Sequence, residues 1–198
     1  MKIDLDHLHY WMQAIRQSPE PLRTMDAFWS GQLKSKQWLI TNLRKHVTKV
    51  VSVDIHGGWV GTLASMLFQS TMVCSKIRSI DIDPVVQPIA EMMNKKEHTV
   101  GLFEAITADM CVITSTADVI INTSCEHITQ IQYETWLDLQ PKPSLFVLQS
   151  NNYNIPEHIR LAKDLEEFKT QCNLKEVVWA GELELPLYTR FMIIGRNL

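Results

Sequence analysis

Three aspartates, Asp54, Asp81 and Asp109, stand at or just beyond the ends of apolar runs, 27 and 28 residues apart. That spacing is about one strand–helix–strand unit. Behind the first lies His56-Gly57-Gly58-Trp59-Val60-Gly61. Glycines let backbone approach a ligand closely, and a helix start behind them offers free N–H groups. An acid at the end of a second strand can accept from both ribose hydroxyls of a nucleotide. The set suits a nucleoside-containing ligand. The loop is not G-x-G-x-x-G and no phosphate-binding lysine follows it, which disfavours an ATPase.

A second group could act on an acceptor. Glu126-His127 follows the run Ala117 to Asn122, and Gln149-Ser150-Asn151-Asn152-Tyr153 follows the run beginning at Ser144. His127 suits proton removal near neutral pH, although a structural histidine bonded to a backbone carbonyl reads equally well; Glu126 is read the same way. His158 and Tyr153 are further candidate bases. The amides, Asn152 among them, can orient a carboxylate or amine but move no proton; a plain turn is their alternative reading. His7 and His9 lack a ligand-like setting, and no metal is expected.

These residues need a frame. Leu5, Leu8, Met12 and Ile15 recur at helical spacing and predict one apolar face. A second helical region spans about Met25 to His46, broken near Ser30-Gly31, with Trp38, Leu39 and Leu43 inward. From Val50 the pattern alternates. Strands are expected at Val50 to Ile55, Ile77 to Ile82, Val100 to Ala105, Ala117 to Asn122 and Ser144 to Gln149. Helices are expected at Thr62 to Gln69, from Asp83-Pro84 to about Asn94, at Tyr133 to Leu139 and at Ile159 to Gln171. Leu174 to Trp179 and Tyr188 to Ile194 have no room for a crossover and predict an antiparallel hairpin. The reading is a doubly wound, mainly parallel α/β sheet ending in that hairpin, residues 47–198, preceded by a helical cap or lid, residues 1–46.

Composition bounds the function. The chain has 198 residues, 45% hydrophobic and 21% charged, with 19 basic and 22 acidic side chains for a net charge of −3. Disorder is excluded on that apolar content. No global field draws nucleic acid, which is disfavoured as a partner. Lys34, Lys36, Arg44, Lys45 and Lys49 read more simply as a solvated helix face than as a phosphate site. The four cysteines form no C-x-x-C pair and read as buried thiols. No apolar leader run begins the sequence and no run is long enough for a membrane span, so a cytoplasmic protein is expected, compatible with a homodimer.

From about Val50 to Leu198 the sequence resembles the class I S-adenosylmethionine-dependent methyltransferase superfamily. The resemblance rests on Val53 to Gly61, Ser79-Ile80-Asp81-Ile82-Asp83-Pro84, Thr107-Ala108-Asp109-Met110, Asp118 to Asn122 with Cys125-Glu126-His127-Ile128, and the closing Tyr188 to Gly195 strand. It implies that Asp54, Gly57, Gly58 and Gly61 surround the methionine part of S-adenosyl-L-methionine. Asp81, followed by Ile82, would hold the ribose, Asp109 and Met110 the adenine, and Asn122 the methionine end. His56 stands where the family usually has glycine, and Trp59 with Val60 makes the loop bulkier. The sequence lacks the Asn/Asp-Pro-Pro-Tyr/Phe and Pro-Cys motifs of DNA-methylating enzymes, so a small-molecule acceptor is expected. Two alternatives stand beside methyl transfer: aminobutyryl transfer or cyclisation as in nicotianamine-synthase-like enzymes, and a non-catalytic cofactor-binding subunit.

Overall fold

A computed structural model describes residues 4–198. Three helices come first: α1 (Leu5–Gln17), α2 (Pro21–Asp26) and α3 (Ser30–Leu43). There follow β1 (Val51–His56), α4 (Thr62–Phe68), β2 (Cys74–Asp81), α5 (Val86–Met93), α6 (Lys95–Thr99), β3 (Phe103–Thr107), β4 (Val119–Asn122), α7 (Gln130–Leu139), β5 (Leu145–Asn151), α8 (Leu165–Cys172), β6 (Glu176–Glu184) and β7 (Thr189–Arg196).

The strands form one sheet in the order β3-β2-β1-β4-β5-β7-β6. The first five are parallel, and β7 runs antiparallel to both β5 and β6. The doubly wound sheet and its terminal hairpin are as the sequence predicts.

Apolar side chains on both faces explain the near-continuous hydrophobic runs. Val53, Ile55, Ile77, Val119, Ile121, Val147 and Ile194 pack in one layer with Leu39, Leu43, Leu63 and Leu67 of α3 and α4. Ile120, Phe146, Leu148, Phe191 and Ile193 face the other way, onto Tyr133, Trp136 and Phe168 of α7 and α8. Helix α3 is thus part of a main layer. Helices α1 and α2 form a smaller cluster with α5, in which Trp11, Ala14 and Ala27 meet Val60, Val86 and Ile89.

Strand β3 begins at Phe103 rather than Val100, β6 spans Glu176–Glu184 rather than Leu174 to Trp179, and two helices differ more. In α1 the buried face is His7, Trp11 and Ala14, while Leu5, Leu8 and Met12 are exposed. The Trp11 Nε1–H donates to Ser65 Oγ at 2.8 Å and the His7 ring pairs with Glu97 at 3.0 Å. A large indole and two satisfied polar contacts outweigh the leucine stripe. The helix expected from Ile159 begins only at Leu165, where the Asp164 side chain caps it by accepting from the Glu167 N–H. Upstream, the Ile159 and Arg160 N–H groups donate to the Glu126 carbonyl, which ties that segment to the turn after β4.

Candidate functional site

Sheet order reverses direction between β1 and β4, and ligands of open α/β sheets bind outside the strand ends at such a switch point. On the β1 side lies the glycine loop. Gly57 and Gly61 have φ of +67° and +76°. A Cβ on Gly58 would strike Ser79 Oγ, so only glycine lets the loop lie flat against β2. Trp59 also has positive φ, +48°, an outlier for a bulky residue. Its N–H donates to Asp81 Oδ2 at 2.8 Å, which helps hold the strained turn.

Asp81 closes β2. The Asp83 N–H donates to its other oxygen at 3.1 Å. An ionised carboxylate has about four acceptor positions, so two remain for a ligand. Ile82 is exposed beside it. Asp109 is exposed beyond β3, its Oδ1 accepting from the Cys111 N–H at 2.8 Å. Met110 meets Asn122, whose Nδ2 lies 3.6 Å from Met110 Sδ. Asn122 is fully buried at the end of β4, and its Oδ1 accepts from the Ser124 N–H at 2.9 Å. Gly57, Gly58, Gly61, Asp81 and Ile82 therefore line one side of the rim, and Met110 and Asn122 come together across it.

Asp54 does not join them. It lies inside β1, two residues before the strand ends, in a bidentate ion pair with Arg78 from the Nε (2.8 Å) and Nη2 groups. Ser115 Oγ donates to it at 2.5 Å from the segment entering β4. Its oxygens are occupied within the sheet, and it is a structural charge pair rather than a loop residue. His56, at the glycine-like position, is fully buried with Nδ1 accepting from Trp136 Nε1 at 3.0 Å. Burial lowers its pKa to about 4, only partly offset by Asp54, so the ring is neutral.

The acceptor side differs more. Strand β5 runs on to Asn151, so Gln149, Ser150 and Asn151 are buried strand residues, not a rim loop. Asn152 faces solvent, and its Oδ1 accepts from the Thr189 N–H at 2.8 Å, closing the β5–β7 ladder. The buried partner is its neighbour: Asn151 Nδ2 donates to Glu126 Oε1 at 2.6 Å. Arg190 Nη1 donates to the same oxygen at 2.6 Å. Glu126, 2% exposed, is the hub of this cluster. His127 is exposed, with Nδ1 3.1 Å from the Glu157 carbonyl. The rings of Tyr153 and Tyr188 stack with centroids 5.4 Å apart.

Two residues were missed. Arg190 carried no signal beyond being a charge inside a predicted strand. Lys36 was read as solvated but is 9% exposed, with Nζ donating to Gln32 Oε1 at 2.7 Å. Burial, with a smaller push from Arg190, lowers its amine to about 7. On the same helix Ser35 Oγ donates to Gln149 Oε1 at 3.1 Å. The other four cations of that group are exposed as expected.

A concavity of about 610 Å³ lies on the flank between the start of α7 and α8, lined by Gln130, Arg160, Glu167 and Gln171 among others. It touches neither the glycine loop nor Asp81. Among the described residues no helix is long and apolar enough to cross a membrane, and all four cysteines are free thiols.

No protein-family model matches the chain, and no curated protein does. Solved structures do. The magnesium protoporphyrin IX methyltransferase ChlM from Synechocystis PCC 6803, with bound SAH, superposes at TM-score 0.66 and 12% identity, over 96% of this chain and 94% of that one. The pyocyanin biosynthetic protein PhzM gives 0.65 at 11%, over 94% of this chain, which spans only 61% of PhzM. MtNAS in complex with MTA and tNA gives 0.63 at 10%, over 96% and 69%. Sheet order, the reversed β7 and these superpositions agree: the chain has the fold of the class I S-adenosylmethionine-dependent methyltransferases.

Proposed function

We propose that the chain is an S-adenosyl-L-methionine-dependent methyltransferase with a small-molecule acceptor. The observation that carries the reading is Asp81: an acid at the end of β2, bonded to the flat glycine loop through Trp59, with acceptor positions free for two ribose hydroxyls. The fit extends to the loop, where any side chain at Gly58 would collide with Ser79 of β2. On this reading Asp109 and Met110 border the adenine and Asn122 the methionine end. The bound cofactor supplies an activated methyl group on a sulfonium. The protein's part is to position the acceptor in line, about 3–3.5 Å away, and to exclude water.

The acceptor side is built from Glu126, Asn151, Arg190 and Lys36, with Tyr153 and Tyr188 as an aromatic wall. Lys36 is an amine kept buried against its own hydration, and it suits an anionic group of the acceptor. His127, open to solvent and fixed at Nδ1, is the candidate base for a protonated nucleophile. Helices α1 and α2, without α3, serve as a cap: Trp11, Phe28 and Trp59 share one cluster, and Arg23 pairs with Asp83 at 2.7 Å beside the ribose site.

The second reading, aminobutyryl chemistry, draws support from the likeness to MtNAS with MTA and tNA and from the bulky Trp59 in the loop. Mass spectrometry of the nucleoside product separates the two. S-adenosylhomocysteine means methyl transfer, and methylthioadenosine means attack on the aminobutyryl carbon. Failure of the purified chain to bind either nucleoside at millimolar concentration overturns both.

A further inference from the structure

Glu126, His127 and His158 come from two segments, the turn after β4 and the loop after β5. Each offers one ligating atom, and the three atoms lie within 4.8 Å of one another. Glu126 Oε1 is saturated by Arg190 and Asn151, but Oε2 is buried with no partner. Such a group costs free energy unless something answers it.

The histidines are already oriented. His127 Nδ1 is 3.1 Å from the Glu157 carbonyl, and His158 Nδ1 is 2.6 Å from the Tyr153 carbonyl. A carbonyl only accepts, so each neutral ring carries its proton on Nδ1 and keeps its lone pair on Nε2. Metal-binding histidines are held in this way. Both carbonyls belong to the segment after β5, so one loop sets both rings, whose centroids are 4.8 Å apart.

We propose that Glu126, His127 and His158 bind a divalent first-row transition cation. Two imidazoles and a carboxylate suit Zn²⁺, Mn²⁺ or Co²⁺; Mg²⁺ and Ca²⁺ prefer all-oxygen shells. Arg190 offsets the charge of Glu126, so imidazole nitrogens carry most of the affinity, which sharpens that preference. Three protein ligands leave positions open for another donor. Resting on the function proposed above, the further donor is an oxygen of the acceptor: the cation fixes it beside the methyl donor and lowers its pKa, so that in the metal-bound state the Nε2 lone pair of His127 is a ligand and no longer the base. The sequence gives no sign of this, because His158 lies 31 residues beyond His127 with no ligand-like spacing.

The test uses the full chain, untagged and stripped with a chelator, titrated with Zn²⁺ by calorimetry and with Co²⁺ by visible absorption. The expected result is one Zn²⁺ per chain, a Co²⁺ ligand-field band and no comparable heat with Mg²⁺. His127→Ala and His158→Ala should each weaken Zn²⁺ roughly tenfold or more, while exposed His9→Ala leaves it unchanged. Retained binding of S-adenosylhomocysteine and an unchanged urea midpoint show that the variants are folded; His158→Asn replaces His158→Ala if that variant unfolds. Absence of Zn²⁺ binding, or an unaltered isotherm in the His127→Ala/His158→Ala double variant, overturns the site. Binding of Zn²⁺ without the nucleoside would remove the methyltransferase reading and keep the site; the reverse would remove the site alone.

Discussion

Replacing Lys36 by methionine should make the protein more stable, and the gain should depend on pH. Burial first, and Arg190 second, lower the amine from 10.5 to about 7 in the fold. The folded pKa of this base is depressed, so between pH 7 and 10.5 the unfolded chain holds more protons. Stability therefore rises with pH across that window. At about 1.4 kcal/mol per pKa unit, the lysine costs about 4 kcal/mol at pH 7 and about 2 kcal/mol at pH 9. Loss of the Gln32 hydrogen bond offsets about 1 kcal/mol. Lys36→Met should thus gain about 3 kcal/mol at pH 7 and about 1 kcal/mol at pH 9. Urea unfolding followed by tryptophan fluorescence at both pH values measures this. An equal gain at the two, or a loss at pH 7, refutes the reasoning. The same variant should turn over acceptor poorly, since a costly buried amine is retained for binding.

Asp81→Ala should weaken S-adenosylhomocysteine binding by about 1.5–3 kcal/mol in calorimetry; unchanged affinity would place the ribose elsewhere. His56, with its pKa lowered to about 4, should make the fold lose up to about 3 kcal/mol as pH falls from 6.5 to 4. In that range the unfolded ring takes up a proton first, and His56→Gln should flatten the slope in thermal or urea unfolding. Arg190→Met leaves Glu126 buried without its cation and should cost about 3–5 kcal/mol, with the Glu126→Gln/Arg190→Met double variant recovering part of it. Deleting Met1 to Pro21 should leave the sheet's circular dichroism intact and abolish turnover; normal activity in that chain contradicts a cap.

What the sequence makes legible is what local chemistry dictates. β-Branched runs such as Val50 to Ile55 can only be doubly covered strands, and their alternation with helices leaves a parallel sheet. Glycine at 57 and 61 is demanded by positive φ, and Asp81 by its place at a strand end. The reversed last strand follows from a connection too short to cross. What stays hidden depends on contacts distant in sequence. Strand β5 runs two residues further than its apolar pattern, which exchanges Asn151 for Asn152 as the buried amide. Asp54 is claimed by Arg78 and Ser115, 24 and 61 residues away. Lys36 sits on a helix of mixed polarity, where periodicity gives no reason to choose its face. In α1 a single tryptophan finding Ser65 reverses the face that four aliphatic residues define.

The central claim is that the crevice between the ends of β1 and β4 holds S-adenosyl-L-methionine. A crystal structure of the chain grown with S-adenosylhomocysteine tests it most directly. The account predicts density with the ribose hydroxyls within hydrogen-bond distance of Asp81, the adenine beside Asp109 and Met110, and the sulfur between Gly57 and Asn122. Density on the α7–α8 flank, or a ribose that does not touch Asp81, would contradict it.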